Sequence, residues 1–223
     1  TIKIYKNHSN WLYCKLLTDN YYGWIKNENL DHLPQVTHRV ISNRSFLFEK
    51  KNEKSKCIIY LPLGSQLSVN SIQGKWASVK LSKNFIHKSA YIPTKHIIDI
   101  NNNINDWVLV AERLLGTPYK WGGRDTVGLD CSALLQLSYQ TYGHNIPRNT
   151  IDQINLNKKK LSFDSKLHRG CVIFWKGHVG IMVDETNCIH ANAFHMEVVK
   201  EDLKNIISRM GAKNQILRIM DFN

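Results

Sequence analysis

The sequence of 223 residues has no long hydrophobic run. Its longest apolar stretch, Cys57 to Leu63, is interrupted by Tyr60 and Pro62, whereas a membrane-spanning helix needs about 20 apolar residues. The first ten residues mix Lys, Asn and His with isolated Ile and Tyr, so they contain no apolar core of a signal peptide. We therefore expect no insertion into a membrane.

Paired cysteines and acidic residues are also scarce. The five cysteines form an odd set with no paired spacing, which argues against a disulfide framework and leaves at least one thiol free. Asp and Glu number 18 against 30 Lys and Arg, and the net charge of +12 favours contact with polyanions. The lysines are scattered among Asn-rich loops and form no long basic run, so we expect no nucleic-acid partner.

The first hundred residues predict short β-strands separated by turns, with no helix pattern. The aromatic and β-branched runs are Trp11 to Leu16, Tyr22 to Ile25, Ile58 to Leu61 and Ala77 to Leu81. Part of the pattern repeats, since Trp11, Lys15 and Leu16 recur at an offset of 65 residues as Trp76, Lys80 and Leu81. A second set, Gly23, Trp24, Ile25 and Leu30, recurs at an offset of 67 as Ala90, Tyr91, Ile92 and Ile97.

This repeat resembles bacterial SH3-like barrels. The resemblance predicts a partial barrel over residues 1–35 and a second barrel over 36–100. The first copy has only ten residues before Trp11, whereas the second has about forty before Trp76. Because half a barrel would leave strand edges unpaired, we expect the natural protein to extend upstream of Thr1.

After a polar linker at Asn101 to Asn105 the pattern changes. Asp106 is a helix cap before an apolar face that reaches Leu115, and a second helix is predicted from Cys131 to Tyr142 with Asp130 at its N-cap. Strand-like runs follow at Cys171 to Trp175, His178 to Asp184, Asn187 to Ala191 and Met196 to Val199. Helices followed by strands in blocks predict an α+β domain over 101–223, in which helices pack on an antiparallel sheet.

Cys131 lies at the predicted start of a helix, where free backbone N–H groups and the helix dipole stabilise a thiolate. A lone cysteine at such a position is more often a small buried hydrophobe, with Asp130 only its capping neighbour. The surroundings favour chemistry, because an aromatic and glycine-rich loop from Tyr119 to Gly123 precedes it and His178 opens a strand downstream. A cysteine nucleophile needs such a base and a third group that orients the base.

His178 and His190 are the candidate base and orienting group. A three-residue hairpin loop at 184–186 would place His178 opposite Asn192 and His190 opposite Gly180, so that both imidazoles share one face. A two-residue loop would send them to opposite faces. A rival zinc site of Cys171, His178, Cys188 and His190 is disfavoured, since Cys188 would lie roughly 13 Å along the hairpin from His178. We expect no metal or other cofactor.

Residues 105–200 contain a series of short motifs: Tyr119 to Gly123, Gly128 to Leu134, Ile146 to Arg148, Gln153, His178 to Ile181 and Ile189 to Ala191. In this order and spacing they resemble the NlpC/p60 family of papain-like cell-wall cysteine peptidases. The resemblance implies a papain-like fold with Cys131 as nucleophile, His178 as base, His190 as third residue and Tyr119 beside the oxyanion and substrate. The chain departs from the family at Ala133, where Gly is common, and at Cys171, where Asp is common.

The resemblance further implies hydrolysis of peptidoglycan stem peptides between the γ-carboxyl of D-Glu and a diamino acid, through a thioester. It assigns Asp130 and Ser132 to the free amine of an N-terminal L-Ala and to the D-Glu carboxylate, although Asp130 serves equally as an N-cap. Trp121 is a further candidate substrate contact. Arg124 and Arg148 either clamp a substrate carboxylate or are structural or solvated.

Two other functions remain open at this stage: a silent adaptor that binds the cell wall, and a thiol-dependent acyl transferase or amidase. The family implies a bacterial protein. The free thiols and the absence of a visible signal peptide favour the cytoplasm, while a leader or segment upstream of Thr1 would allow the periplasm or cell wall. A monomer is the default expectation.

Overall fold

The structure is a computed structural model, which describes residues 1–30, 35–82, 86–87, 89–212 and 214–223. The chain forms two compact units, Thr1–Asn103 and Ile104–Asn223. No helix among the described residues has the length and apolar character that crossing a membrane requires.

The first unit is built from short antiparallel strands. Its strands are β1 (Ile2–His8), β2 (Trp11–Leu16), β3 (Tyr22–Lys26), β4 (His38–Val40), β5 (Arg44–Phe48), β6 (Cys57–Pro62), β7 (Gln66–Leu67), β8 (Val69–Gln73), β9 (Trp76–Val79), β10 (Ala90–Pro93) and β11 (Ile97–Asp99). They form three sheets, in the orders β1-β2-β3, β6-β5-β10-β9-β8 and β11-β4-β7. Turns of 3₁₀-helix occupy Asn27–Asn29 and Thr94–His96.

The core of this unit is formed by alternate residues of β4, β5, β9 and β10. Val40, Ala77, Ala90 and Ile92 are fully buried there, which is the period of two that half-buried strands require. The predicted strand Trp11–Leu16 matches β2, while the run that was predicted to reach Leu81 ends at Val79. The SH3-like assignment stays a prediction, and the boundary predicted at residue 35 adjoins 31–34, which lie outside the described residues.

The second unit combines helices with an antiparallel sheet. Its helices are α1 (Trp107–Glu112), α2 (Cys131–Gln140), α3 (Thr150–Gln153) and α4 (Leu203–Met210). Its strands are β12 (Arg124–Asp125), β13 (Gly128–Leu129), β14 (Lys159–Leu161), β15 (Cys171–Trp175), β16 (His178–Met182), β17 (Asn187–Asn192), β18 (Glu197–Asp202) and β19 (Arg218–Asp221). Six of them form one sheet in the order β14-β19-β15-β16-β17-β18.

Both predicted helix starts are confirmed by their caps. The Asp106 carboxylate accepts hydrogen bonds from the N–H groups of Val108 and Leu109, and the Asp130 carboxylate accepts one from Ala133. Both helices are shorter than predicted, since α1 ends at Glu112 and α2 at Gln140. Helix α2 is buried from Cys131 through Tyr139 and contacts β16 and β17.

The hairpin of β16 and β17 has the predicted register. Ile181 pairs with Ile189 and Met182 with Cys188, and the same register continued along the strands sets His178 opposite Asn192 and His190 opposite Gly180. The loop is held by Asp184, whose Oδ1 accepts from the N–H groups of Thr186 at 2.8 Å and Asn187 at 2.7 Å. Both imidazoles therefore project from one face of the sheet.

Candidate active site

Cys131 is the first residue of α2 and is only 8% exposed. Its Sγ lies 4.0 Å from the hydroxyl of Thr150 and accepts hydrogen bonds from the backbone N–H groups of Ser132 and Val179. Burial raises the pKa of the thiol and the charge of Asp130 raises it further, while the three hydrogen bonds act in the opposite direction. The sequence predicted a thiolate at the helix start, but burial favours the neutral thiol in the free protein.

His178 is the first residue of β16 and lies next to Val179 in the chain. Its Nε2 is 2.7 Å from Nδ1 of His190, so the structure brings the two predicted histidines into one hydrogen bond. Burial, with the positive charge of Arg209 and the neighbouring imidazole, lowers the pKa of His178 to about 3. His178 is therefore neutral at neutral pH, with a lone pair available for a proton.

His190 is only 1% exposed, and its Nε2 lies 2.8 Å from Oε1 of Glu201 on β18. Arg209 on α4 donates to both carboxylate oxygens of Glu201. The sequence analysis missed Glu201, because it ended the last predicted strand at Val199. A strand prediction extended to Asp202 would have placed Glu201 near His190, because the two are diagonal neighbours on paired strands.

Asp130, Ser132 and Arg148 form one buried cluster. The Arg148 guanidinium donates to both Asp130 oxygens at 2.9 and 2.7 Å and to Ser132 Oγ at 2.7 Å. The Asp130 carboxylate accepts further bonds from Ser132 Oγ and from the N–H groups of Gly122 and Ala133. These five donors exceed the roughly four lone-pair sites of a carboxylate, which favours the structural alternative for Asp130 and Arg148.

The remaining predicted contacts lie around the helix start in different environments. Tyr119 lies near Cys131 and Asp130, and burial together with the charges of these two groups raises the pKa of its phenol. Trp121 is 83% exposed in the loop between Tyr119 and Gly123. Arg124 donates to side chains of α2, at 2.8 Å to Gln140 Oε1. Substrate binding by these three residues stays a prediction.

Two residues of the rival zinc site belong to the hydrophobic core. Cys171 and Cys188 are fully buried in the hydrophobic cluster of β15, β16, β17 and α4. Cys188 donates to the carbonyl oxygen of Ile189 at 3.9 Å, while the imidazoles bind each other. Within the described part of the chain, no group of three His, Cys, Asp or Glu side chains is arranged to hold a metal ion.

A buried cysteine at a helix start, against an antiparallel sheet that presents two bonded histidines, is typical of α+β thiol hydrolases. Residues 116–212 match the NlpC/P60 family. The chain is 28% identical over 200 residues to dipeptidyl-peptidase 6 of Lysinibacillus sphaericus, and the match covers 80% of this chain and 73% of that protein. Over residues 116–212 the second unit therefore resembles the NlpC/P60 family of peptidases.

Two further comparisons agree with this resemblance, the second of them for the fold alone. The chain is 26% identical over 183 residues to the gamma-D-glutamyl-L-lysine dipeptidyl-peptidase of Bacillus subtilis, and the match covers 77% of this chain but 60% of that protein. A crystal structure of an NlpC/P60 family protein from Bacillus cereus has a TM-score of 0.82 at 20% identity, and the match covers 99% of this chain and 79% of that one. This likeness confirms the α+β fold of the second unit.

Proposed function

We propose that the protein is a cysteine peptidase that hydrolyses peptidoglycan stem peptides between the γ-carboxyl of D-Glu and a diamino acid. The observation that carries the proposal is the placement of Cys131 against the start of β16, where His178 is bonded to His190. The names of the two dipeptidyl-peptidase relatives support the choice of bond, since one names a γ-D-glutamyl-L-lysine substrate.

In the first half of the reaction, Cys131 Sγ attacks the γ-glutamyl carbonyl carbon as its proton passes to His178. Because burial keeps both groups neutral at rest, this proton transfer accompanies the attack. Backbone N–H groups at the start of α2 stabilise the negative charge that develops on the carbonyl oxygen. The C–N bond then breaks, and His178 gives the proton to the leaving amine, which leaves a thioester.

In the second half, water attacks the thioester carbonyl carbon and gives a proton to His178. The C–S bond breaks, the γ-carboxyl product leaves, and the proton returns to the sulfur. His190 orients His178 throughout, as the third member of a nucleophile–base–orienting triad. No step requires a cofactor.

The test uses the synthetic peptides L-Ala-γ-D-Glu-L-Lys and L-Ala-γ-D-Glu-diaminopimelate, with products identified by mass spectrometry. The wild type should release L-Ala-D-Glu and the diamino acid, and EDTA should not slow it. Cys131→Ala and His178→Ala should abolish turnover, whereas His190→Ala should be milder because an orienting group is lost. Cys57→Ala, which removes an exposed free thiol of the first unit, is the matched control and should keep full activity.

Turnover by Cys131→Ala, or loss of activity to EDTA with recovery on zinc, would contradict the proposal. If iodoacetamide alkylates Cys131, so that the thiol is reactive, but the untreated wild type cleaves neither peptide, a different substrate is favoured. Amine-dependent products would favour acyl transfer. Intact sacculi tested beside the free peptides show which form of substrate is used.

The proposal includes a requirement for a free N-terminal L-Ala. Acetylating the L-Ala amine of the test peptide should suppress cleavage strongly. The support is that both relatives are named dipeptidyl-peptidases, which release dipeptides from a free N-terminus. Because the lone pairs of Asp130 are already occupied, we assign Asp130 to shaping the Cys131 pocket rather than to holding this amine. Equal rates on free and acetylated peptides would indicate an enzyme that accepts stems attached to glycan.

A further inference from the structure

The hydrogen bonds of the site continue beyond His190. Glu201 Oε1 lies 2.8 Å from His190 Nε2, and the Glu201 side chain is 14% exposed. Arg209 donates to Glu201 Oε2 at 3.1 Å and also to Oε1. The bonds to Arg209 and His190 lower the pKa of the Glu201 carboxyl, so it is an anion at neutral pH.

An anionic carboxylate can only accept hydrogen bonds. Since Glu201 Oε1 lies within bonding distance of His190 Nε2, that nitrogen carries a proton and donates it. A neutral His190 then has a lone pair on Nδ1, which accepts the N–H of His178 Nε2 at 2.7 Å. The lone pair of a neutral His178 is consequently on Nδ1, the ring nitrogen that remains for the thiol.

Other groups near the pair do not reverse this direction. Asn192 Nδ2 is 3.2 Å from His190 Nε2, but this contact is longer and uncharged. His195 Nδ1 lies 3.9 Å from Glu201 Oε1, and the charge of Arg209 disfavours protonation of both His178 and His190. Glu201 is the anion that opposes Arg209 at this end of the site, and it favours an imidazolium on His178.

We propose that Glu201 is a positioning residue that sets the proton positions of His190 and His178, so that His178 presents a lone pair to Cys131 and its protonated form is stabilised during attack. The role deepens the proposed function and rests on it for the identity of the reaction. In a Ser-His-Asp triad a carboxylate orients the catalytic histidine directly. Here the Glu201 carboxylate would act on His178 through a second imidazole, that of His190.

Two substitutions of Glu201 separate its hydrogen bond from its charge. Glu201→Met removes both and should lower kcat on the stem peptides about 10- to 100-fold with KM little changed, as loss of an outer hydrogen-bond partner does at other histidine sites. Glu201→Gln keeps an acceptor for His190, so its kcat should fall less than that of Glu201→Met. Arg209→Met breaks the same ion pair but leaves the Glu201 carboxylate as the acceptor for His190. Its kcat should therefore also fall less than that of Glu201→Met. Glu185→Gln, on an exposed turn, should match the wild type.

A second measurement needs no substrate, so it tests the role of Glu201 even if the proposed function is wrong. The rate at which iodoacetamide alkylates Cys131 is followed against pH by peptide mapping, in a Cys57→Ala background. Glu201→Met should slow alkylation at neutral pH and move its rise to higher pH, because the imidazolium that accompanies the thiolate loses its counter-charge. The rate in Glu185→Gln should not move.

Nitrogen-15 NMR of the histidines in the wild type at neutral pH tests the proton positions directly. Protons on Nε2 of both His190 and His178 are expected, and a proton on His178 Nδ1 would overturn the proposal. An alkylation profile unchanged in Glu201→Met would also overturn it. The proposal would also be overturned if Glu201→Met and Arg209→Met lost activity equally and in proportion to their loss of thermal stability. A purely structural ion pair behaves in that way.

Discussion

At the scale of single residues, burial decides the charge states of the catalytic pair. Removing water penalises the thiolate of Cys131 and the imidazolium of His178 alike. Neither group is strongly activated before substrate arrives, so the chemistry depends on moving one proton between them. The hydrogen bonds from Ser132 and Val179 favour the sulfur as an anion once that proton has moved.

The lowered pKa of His178 makes folding stability depend on pH. In the unfolded chain this side chain becomes protonated below its usual pKa of about 6.5. In the folded protein it stays neutral until the pH falls to about 3. The contribution of His178 to the free energy of unfolding is therefore fully present above about pH 6.5 and is lost as the pH falls towards 3. Thermal unfolding at pH 7 and pH 5 should show a smaller loss of Tm in His178→Ala than in the wild type. An equal or larger loss in the variant would contradict the assignment.

At the scale of elements, the cluster around Asp130 ties the start of α2 to two loops. Arg148 reaches it from the segment before α3 and also donates to the carbonyl oxygen of Gly123 at 3.1 Å, while Gly122 donates to the carboxylate. The cap of one helix thus holds the glycine loop that precedes the nucleophile. This gives Arg148 and Asp130 a structural role beside the chemistry of Cys131.

Arg148→Met should lower the free energy of unfolding by about 3–5 kcal/mol, because it leaves the Asp130 carboxylate buried without its counter-charge. Urea unfolding measures the loss. The double variant Asp130→Asn with Arg148→Met should be less destabilised than the sum of the two single variants, since both residues belong to one pair. Additive losses, or a loss below about 1 kcal/mol in Arg148→Met, would show that the pair contributes little to stability.

The loop of the β16–β17 hairpin sets the register that brings His178 to His190. Asp184 holds it through the N–H groups of Thr186 and Asn187 and through the Asn187 amide at 2.9 Å. These bonds lower the pKa of the exposed Asp184 carboxyl. The element that positions both imidazoles therefore depends on a side chain at the surface.

Asp184→Ala should lower Tm by about 2–4 °C through lost turn hydrogen bonds, and it should lower kcat as the histidine pair becomes less ordered. Thermal unfolding and peptide cleavage measure the two effects, with Glu185→Gln in the same turn as the control. An unchanged Tm together with an unchanged kcat would show that strand pairing alone holds the register.

At the scale of the whole molecule, each unit has its own core. In the first unit it lies between the sheets of β4–β11. In the second unit Tyr139 of α2 packs against Trp107 of α1 and Phe222, with ring centroids 5.2 and 5.1 Å apart. Every residue of the candidate triad, together with Glu201 and Arg209, belongs to the second unit.

A fragment of residues 104–223 should therefore fold cooperatively and keep the reactivity of Cys131 towards iodoacetamide. Circular dichroism during heating and peptide mapping of the alkylated thiol measure this, with the Cys131→Ala fragment as the control. A fragment without a cooperative transition, or one whose Cys131 is alkylated at a rate that differs from the rate in the full chain, would show that the site depends on the first unit.

The sequence by itself determined the features that depend on short stretches of chain. The cap at Asp130 places Cys131 at a helix start because the carboxylate and the N–H groups that it accepts from are neighbours in the chain. The spacing of twelve positions from His178 to His190, with a three-residue turn, determines their common face because side chains alternate along a strand. Helix ends were predicted too far along the chain, because the last turns close through hydrogen bonds to the residue three positions earlier, such as Leu114 to Ala111 and Tyr142 to Tyr139.

Only the tertiary structure decided which distant groups meet. Arg148 binds Asp130, Glu201 binds His190 and Arg209 on the unpredicted helix α4 binds Glu201, although nothing in the spacing of these residues requires it. It also decided that Cys131 and His178 are neutral at rest, which no local pattern shows. The physical reason is that burial and long-range ion pairs arise when α2, α4 and the sheet pack together, and the loss of water in that packing sets the charge of every group inside it.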